Sequence, residues 1–168
     1  MERTLLIIKP DGVERNLIGK IIDYYEKAGL KITAMKMLTV SKELVSKHYP
    51  EDPKWMEELG KKGEKAGEKV DNYMEYGQFV VRTLRDYLSM GPVVAIILEG
   101  ENAIKKAREI TGYTDPSAAE KGTLRGDLGE DSILKANKEN RSAYNLVHAS
   151  GNPEEAEREI KLWFPEYS

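Results

Sequence analysis

Two short, uninterrupted apolar segments constrain the fold of this chain most strongly: residues 4–8 and residues 93–98. Apolar runs of this length are typical of buried strands. The first run ends at Lys9-Pro10-Asp11-Gly12, and Gly91-Pro92 precedes the second, so proline and glycine break the regular structure beside both. Both runs are far shorter than the roughly 20 residues that cross a bilayer, so we expect no membrane span.

Helical and alternating patterns separate these strands. Residues 31–40 alternate partly between apolar and polar, as a half-buried strand does, and residues 145–149 are predicted as a last short strand. A final helix begins with Asn152 as N-cap, Pro153 at the first helical position and Glu155 completing a capping box. The order β-α-β-α-β-α-β-α favours an α+β fold, a ferredoxin-like sandwich in which helices cover one side of a four-stranded antiparallel sheet. The other predicted helices span residues 17–28, 41–49, 79–88 and 101–110.

Two stretches interrupt this alternation of strands and helices. Residues 50–77 have interleaved charges, glycines at positions 60, 63 and 67, and few large apolar side chains, which predicts a partly helical surface insertion. Residues 113–144 are rich in Gly, Asp, Asn, Lys and Arg and show little regular pattern; loops of this length usually carry function or disorder. With 168 residues, the chain fits a single domain over residues 1–168.

Charge and composition exclude several classes of function. A net charge of −3 and a pI near 5.6 give no general attraction to polyanions, so we expect neither a nucleic-acid partner nor a membrane surface. Zero cysteines exclude disulfides and thiolate catalysis, and with only two histidines we expect no metal site in the protein itself. Met1 leads directly into a strand-like segment without an apolar signal region, which favours the cytoplasm.

Any phosphate bound by this chain must be held by side chains. The sequence contains neither a P-loop nor a three-glycine dinucleotide fingerprint. The candidates are Lys9 at a strand end, Arg108 late in a helix and Arg125 in the long loop. Arginine matches phosphate oxygens bidentately, and lysine is a mobile point charge. The alternative for each residue is a solvated surface charge.

His148 is the strongest candidate nucleophile. It stands at a strand end that is followed by a capped helix, whose N-terminal amides can bind an anion. Neutral imidazole is nucleophilic near pH 7 and needs no separate base to accept a phosphoryl group. The alternative is a structural histidine, and His48, beside Lys47 with no evident orienting partner, illustrates that case.

Glu159 is a candidate partner for this histidine. On a helical wheel it lies beside Ala156 and Trp163, at the margin of the buried stripe, where a carboxylate requires a hydrogen-bond donor. A carboxylate that accepts from one ring nitrogen leaves the other nitrogen free to attack. From the residues alone, an amphipathic edge position remains the alternative.

Six separated motifs resemble the nucleoside diphosphate kinase family, and they occur in the family's order. They are Lys9-Pro10-Asp11-Gly12-Val13, His48-Tyr49, Gly91-Pro92-Val93, residues 112–116, Gly122-Thr123-Leu124-Arg125-Gly126-Asp127 and Asn145-Leu146-Val147-His148-Ala149-Ser150. The resemblance implies a ferredoxin-like subunit in a homo-oligomer, either hexamer or tetramer, with Mg²⁺ carried on the nucleotide phosphates. It also implies a ping-pong reaction, in which a nucleoside triphosphate phosphorylates His148 and a nucleoside diphosphate collects the phosphoryl group.

The resemblance assigns a role to each matching residue. Ser150 and Glu159 would orient His148, and Asn145 would contact the sugar. Tyr49 would brace Lys9, which holds the phosphates and the sugar 3′-hydroxyl. The phosphate oxygens would be bound by Arg108, Thr114 and Arg125.

The chain departs from the family pattern at three places. Gly151 stands where the family has an aspartate. The insertion at residues 50–77 precedes the position of the aromatic that stacks on the base, and counting back from Gly91 puts Val80 there, with Phe79 adjacent. Residues 129–144 form a second insertion, because this segment is longer than usual.

Two other functions are compatible with the same fold. A catalytically silent nucleotide-binding or scaffolding protein would share it, but the chain retains His148, Lys9 and Glu159, which argues against a silent protein. An RNA-binding module would need an aromatic-rich sheet motif and a basic surface, and the sequence has neither.

Overall fold

The computed structural model describes residues 1–167, which include one four-stranded antiparallel sheet. The strands are β1 (Glu2–Ile8), β2 (Lys31–Leu38), β3 (Val93–Gly100) and β4 (Val147–Ala149), in the spatial order β2-β3-β1-β4. This order and the intervening helices confirm the predicted ferredoxin-like α+β fold. Strand β1 pairs with both β3 and β4, and the β1–β4 register sets Ile7 opposite His148.

Nine α-helices and two short 3₁₀ turns connect or follow the strands in the described residues. The turns span Pro116–Ala118 and Pro165–Tyr167. The helices are α1 (Pro10–Glu14), α2 (Ile18–Lys27), α3 (Lys42–His48), α4 (Pro53–Lys65), α5 (Tyr73–Ser89), α6 (Ala103–Thr111), α7 (Leu124–Leu128), α8 (Ile133–Lys138) and α9 (Pro153–Trp163). None of the described helices is both long enough and apolar enough to cross a membrane.

Both faces of the sheet are buried. On one face, Leu5 and Ile7 belong to a cluster with residues of α3, α5 and α9; on the other, Leu6 and Ile8 pack with residues of α2 and α6. The expectation that helices cover only one side is therefore wrong. The physical reason lies in the continuous apolar runs of β1 and β3, since strands that alternate between two faces are apolar throughout only when both are covered.

The predicted insertion at residues 50–77 contains all of α4 and the beginning of α5. Asp52 caps α4, whose first residue is Pro53, and Asn72 caps α5. These two helices form a hairpin in which the backbones approach closely. A Cβ at Gly77 would overlap the backbone of Met56, so glycine is required where the helices cross.

The segment of residues 113–144 is ordered by local polar contacts. Thr123 caps α7 and Ser132 caps α8. Beyond α8, Arg141 Nη2 donates to Asp131 Oδ1 at 3.1 Å, and the Tyr144 amide donates to the other oxygen of Asp131 at 2.8 Å. Helix periodicity is hard to recognise here because α7 and α8 have only five and six residues.

Candidate functional site

His148 lies on the short edge strand β4 and is held by a buried carboxylate. Its Nε2 lies 2.8 Å from Glu159 Oε2, and Ser150 Oγ donates to the same oxygen at 2.7 Å. Burial alone would raise the pKa of Glu159, but His148, His48 and the Ser150 hydroxyl stabilise the carboxylate and lower that pKa to about 2. An ionised carboxylate only accepts, so Nε2 carries the ring hydrogen and Nδ1 keeps its lone pair.

His48 packs against the His148 ring. The two ring centroids are 4.7 Å apart and nearly perpendicular. Trp163 Nε1 donates to His48 Nδ1 at 3.1 Å, so the hydrogen of neutral His48 resides on Nε2. Burial, reinforced by the neighbouring His148, holds the pKa of His48 well below its ordinary value, which keeps the ring neutral. This packing of His48 against His148 was not predicted from the sequence, although His48 lies one helical turn from buried Val45 on the same face of α3.

Lys9, Arg125 and Asn145 form a buried polar group beside His148. Lys9 Nζ donates to Asn145 Oδ1 at 3.0 Å, and Asn145 Nδ2 donates to the carbonyl of Thr114 at 3.1 Å. Arg125 donates to the carbonyls of Asn145, Val147 and Gly112 at 3.0, 2.7 and 3.3 Å. Burial and the nearby Arg125 charge lower the pKa of Lys9 to about 7. Asp11 raises the pKa of Lys9 and so offsets part of this effect, and the buried cations still favour an anion in the cleft.

These groups open into one cleft. Trp55 and Leu84 of the α4–α5 hairpin line it opposite the sheet, and Glu155 lines it near the start of α9. Ser150 is fully buried behind His148, and Glu159, also buried, borders an adjoining cavity together with His48 and His148. Seven of the residues predicted from the sequence line it together: Lys9, Tyr49, Arg108, Thr114, Arg125, Asn145 and His148.

A sequence model of the family described as nucleoside diphosphate kinase matches residues 2–57 and 69–168. The chain belongs to the nucleoside diphosphate kinase family. The prediction of an enzyme of this phosphotransferase class is thereby confirmed. The unmatched residues 58–68 fall inside the predicted insertion at 50–77, whereas residues 129–144 lie within the matched range.

Individual relatives support the same assignment. A nucleoside diphosphate kinase from Pyrobaculum aerophilum is 43% identical over 176 residues, covering 99% of this chain and 96% of the relative, and one from Archaeoglobus fulgidus is 42% identical over 164 residues, covering 98% and 87%. The solved structure of an NDP kinase from Pyrobaculum aerophilum aligns with a TM-score of 0.92 at 41% identity, covering 99% and 97% of the two chains. A Borrelia burgdorferi enzyme, described as a transition-state mimic with bound vanadate and ADP, aligns with a TM-score of 0.81 at 36% identity, covering 97% and 86%.

The residue that contacts Lys9 differs from the one expected from the family resemblance. Tyr49 lines the cleft, but the ring under the Lys9 ammonium belongs to Tyr87, whose centroid is 4.7 Å from Nζ. Tyr87 donates to Asp11 Oδ1 at 2.6 Å, and Asp11 Oδ2 accepts from the Leu146 amide at 3.2 Å. Asp11 was visible in the Lys-Pro-Asp-Gly motif, whereas Tyr87 gave no signal because its partners are distant in sequence.

The structure does not bring Phe79 or Val80 into the cleft. Phe79 lines a separate depression together with Glu75 and Arg82. The C-terminal part of α5 is the part near the site, as the contact between Tyr87 and Asp11 shows. Each helical turn toward the N-terminus moves a residue about 5.4 Å away, so counting from Gly91 selects positions too far along α5.

Glu155 occupies the space beside Gly151. The Glu155 amide donates to Asn152 Oδ1 at 2.8 Å, as in the predicted capping box, but the Glu155 carboxylate accepts from the amide of Gly151, at 2.9 Å, rather than from that of the N-cap residue. A Cβ at position 151 would lie against this carboxylate. This chain therefore has glycine where the family has an aspartate, and the carboxylate of Glu155, one helical turn further along the chain, lies beside that position.

Proposed function

We propose that this enzyme transfers the γ-phosphate of a nucleoside triphosphate to a nucleoside diphosphate through a phosphohistidine at His148. The observation that carries the proposal is the contact between His148 Nε2 and the buried Glu159 carboxylate, because it fixes the tautomer and leaves Nδ1 as the nucleophilic atom. The family membership and the Borrelia relative with vanadate and ADP support the same chemistry.

In the first half-reaction, the Nδ1 lone pair forms a bond to the γ-phosphorus. The bond from that phosphorus to the β–γ bridging oxygen breaks, and the oxygen leaves with the electron pair on the nucleoside diphosphate. The ring becomes a positively charged phosphoimidazole, which Glu159 stabilises through the Nε2 hydrogen bond. A second nucleoside diphosphate reverses these steps through its terminal oxygen and restores neutral His148.

The side chains around His148 would position and neutralise the phosphates, the main requirements of phosphoryl transfer. Lys9, Arg108 and Arg125 would supply positive charge, and Thr114 would bind a phosphate oxygen. Asn145 would contact the sugar from its place beside Lys9. Tyr49 would contribute from the cleft wall.

Mg²⁺ would enter with the nucleotide, bound to its phosphates as part of the substrate. The donor set of the cleft fits this arrangement, because its sheet side presents cations and amides rather than clustered carboxylates. The closest group of possible ligands, His48, His148 and Glu159, suits Mg²⁺ poorly, since this ion prefers oxygen donors and the His48 Nε2 carries a hydrogen.

The test is incubation with γ-labelled ATP and Mg²⁺, followed by treatment of the protein with acid and with base. We expect a label that is acid-labile and base-stable, as phosphohistidine is, and no label on a His148→Ala variant. His48→Gln is the matched histidine control, and its label should still map to residue 148. A His148→Ala protein that takes up label would contradict the mechanism, and ADP binding without any label would indicate a catalytically silent nucleotide-binding protein.

We also propose that the chain forms a homo-oligomer, a hexamer or tetramer. Strand β2 is an edge of the sheet, and its side chains Met35 and Met37 are 54% and 56% exposed. Exposed apolar side chains on an edge strand favour association. Light scattering at micromolar concentration should give a mass several times 19.0 kDa. A fully active monomer would contradict this proposal.

A further inference from the structure

The ammonium of Lys9 lies over an aromatic ring that does not itself line the cleft. Lys9 Nζ is 4.7 Å from the centroid of the Tyr87 ring, and Tyr87 is buried. The Tyr87 hydroxyl donates to Asp11 at 2.6 Å and accepts from the Asn145 amide at 3.1 Å, so the hydroxyl end of the ring is fixed. An aromatic face this close to a desolvated ammonium favours its charged form. Tyr87 is therefore part of the environment that sets the position and charge of Lys9.

The Tyr87 ring packs in turn against the second insertion. The ring centroids of Tyr87 and Tyr144 are 5.2 Å apart, with an interplanar angle of 58°. The guanidinium of Arg141 lies over the Tyr144 ring, with Cζ 4.3 Å from the centroid. Both Arg141 and the Tyr144 amide donate to the Asp131 carboxylate, which is almost fully buried. A continuous row of contacts thus leads from Asp131 to Lys9.

We propose that the second insertion, residues 129–144, positions the Lys9 ammonium through the rings of Tyr144 and Tyr87. This inference rests on the proposed function, which assigns the nucleotide phosphates to Lys9. Tyr144 lines a separate depression together with Asp11, on the other side of the polar group from the cleft that contains His148. Tyr144 is therefore a positioning residue, which acts on the phosphates only through the lysine.

Charged and titratable groups from three helices also face Lys9. Burial and Arg125 of α7 lower the pKa of Lys9 to about 7, and Asp11 of α1 raises it. His48 of α3 stays neutral, because burial holds its pKa well below the ordinary value. Replacing Tyr144 by a smaller side chain would free the ring beneath the ammonium, and the charged amine would lose a stabilising contact. The pKa of Lys9 should then fall by about half a pH unit.

The experiment follows the Lys9 amine by NMR in nucleotide-free protein that carries ¹³C and ¹⁵N in its lysines, with the signal assigned by its loss in Lys9→Arg. Tyr144→Leu should lower the Lys9 pKa by about half a pH unit. It should also slow single-turnover phosphoenzyme formation about 3- to 10-fold, because a displaced charge matches the transferred group less well. Tyr144→Phe keeps the ring and should restore both values. Leu134→Ala is the matched control, since Leu134 lies in the same insertion and is 61% exposed.

A second variant keeps the test decisive if Tyr144→Leu does not fold. Asp131→Asn weakens the anchor of Tyr144 and should shift the Lys9 pKa in the same direction by a smaller amount. An unchanged Lys9 pKa in the folded variants would overturn the inference, even if phosphoenzyme formation were slower. An equal shift in Tyr144→Phe or in Leu134→Ala would overturn it as well. The titration needs no nucleotide, so a parent that takes up no label, but whose Lys9 pKa falls in Tyr144→Leu, would refute the proposed function alone.

Discussion

The two walls of the cleft are built by different physical means. The sheet-side wall, formed by Lys9, Arg125, Asn145 and His148, consists of buried polar groups tied to one another and to backbone carbonyls. The hairpin wall is formed by Trp55 and Leu84, with Tyr49 from the end of α3 packed beside them, and it depends on apolar packing of helices. Buried hydrogen-bonded groups have fixed directions, whereas apolar packing supplies contact area without direction.

This difference separates two properties of the enzyme. Phosphoryl transfer depends on groups placed within a fraction of an ångström, so the sheet-side wall should determine the rate of transfer. Apolar contact with the nucleotide depends on area, so the hairpin wall should contribute to affinity without affecting the rate, whereas the charges of the sheet-side wall also hold the phosphates. Substitutions in the two walls test whether rate and affinity can be changed independently.

Replacing Glu159 with glutamine should have the largest effect. An amide orients the imidazole less well and stabilises its positive charge less, so the single-turnover rate of phosphoenzyme formation should fall about 10²-fold. ADP affinity should stay within about 2-fold, because Glu159 is buried and acts through its hydrogen bond to His148. Glu157→Gln, on the exposed face of the same helix, is the control. An unchanged rate in Glu159→Gln would show that the geometry of the sheet-side wall does not control the rate of phosphoryl transfer.

The next largest effect should be a loss of ADP affinity above pH 7. Burial lowers the pKa of Lys9 to about 7 in the free protein, so the amine is charged below that pH and neutral above it. Bound phosphate favours the charged amine and must then recruit a proton above pH 7. ADP affinity should fall by up to about tenfold per pH unit there, and calorimetry in two buffers should detect proton uptake. Lys9→Arg, which stays charged, should remove the slope.

Replacing Gly77 with alanine should have the smallest effect and should act on the hairpin wall alone. The new methyl group would overlap the Met56 backbone and push α4 away from α5. Overpacking of this kind costs about 1–3 kcal/mol of stability, and ADP affinity should weaken by a few fold. Gly19→Ala is the matched control, since its Cβ would meet nothing. An equal loss in the rate at saturating nucleotide would show that the two walls act as one unit.

The sequence predicted the sheet-side wall better than the hairpin wall for a physical reason. Lys9 and His148 occupy strand ends, where the apolar pattern stops, and Glu159 lies on a helix with a clear start. Each of these signals is local. Helices α2 and α6 were predicted, but their place on the second sheet face was not, because a run of apolar residues indicates burial without indicating what covers it.

The remaining residues of the site depend on contacts between distant segments. His48 is held by Trp163, and Tyr87 by Asp11, and neither pair leaves a pattern in the surrounding sequence. Trp55 could not be placed because counting from Gly91 assumes that the helix before β3 approaches the cleft along its whole length. In the structure Trp55 lines the cleft from α4, whose position is set by backbone contact with α5 at Gly60 and Gly77.

The pairing of β1 with β4 also determines when the enzyme can become active during its synthesis. β1 leaves the ribosome first, yet its partner β4 and the carboxylate on α9 follow only after the other three strands have emerged. Closing so long a loop slows folding more than it weakens the folded state. Translation intermediates that lack α9 have no Glu159 to orient the imidazole, so nascent chains should consume nucleoside triphosphates at least about 10²-fold more slowly than the folded enzyme.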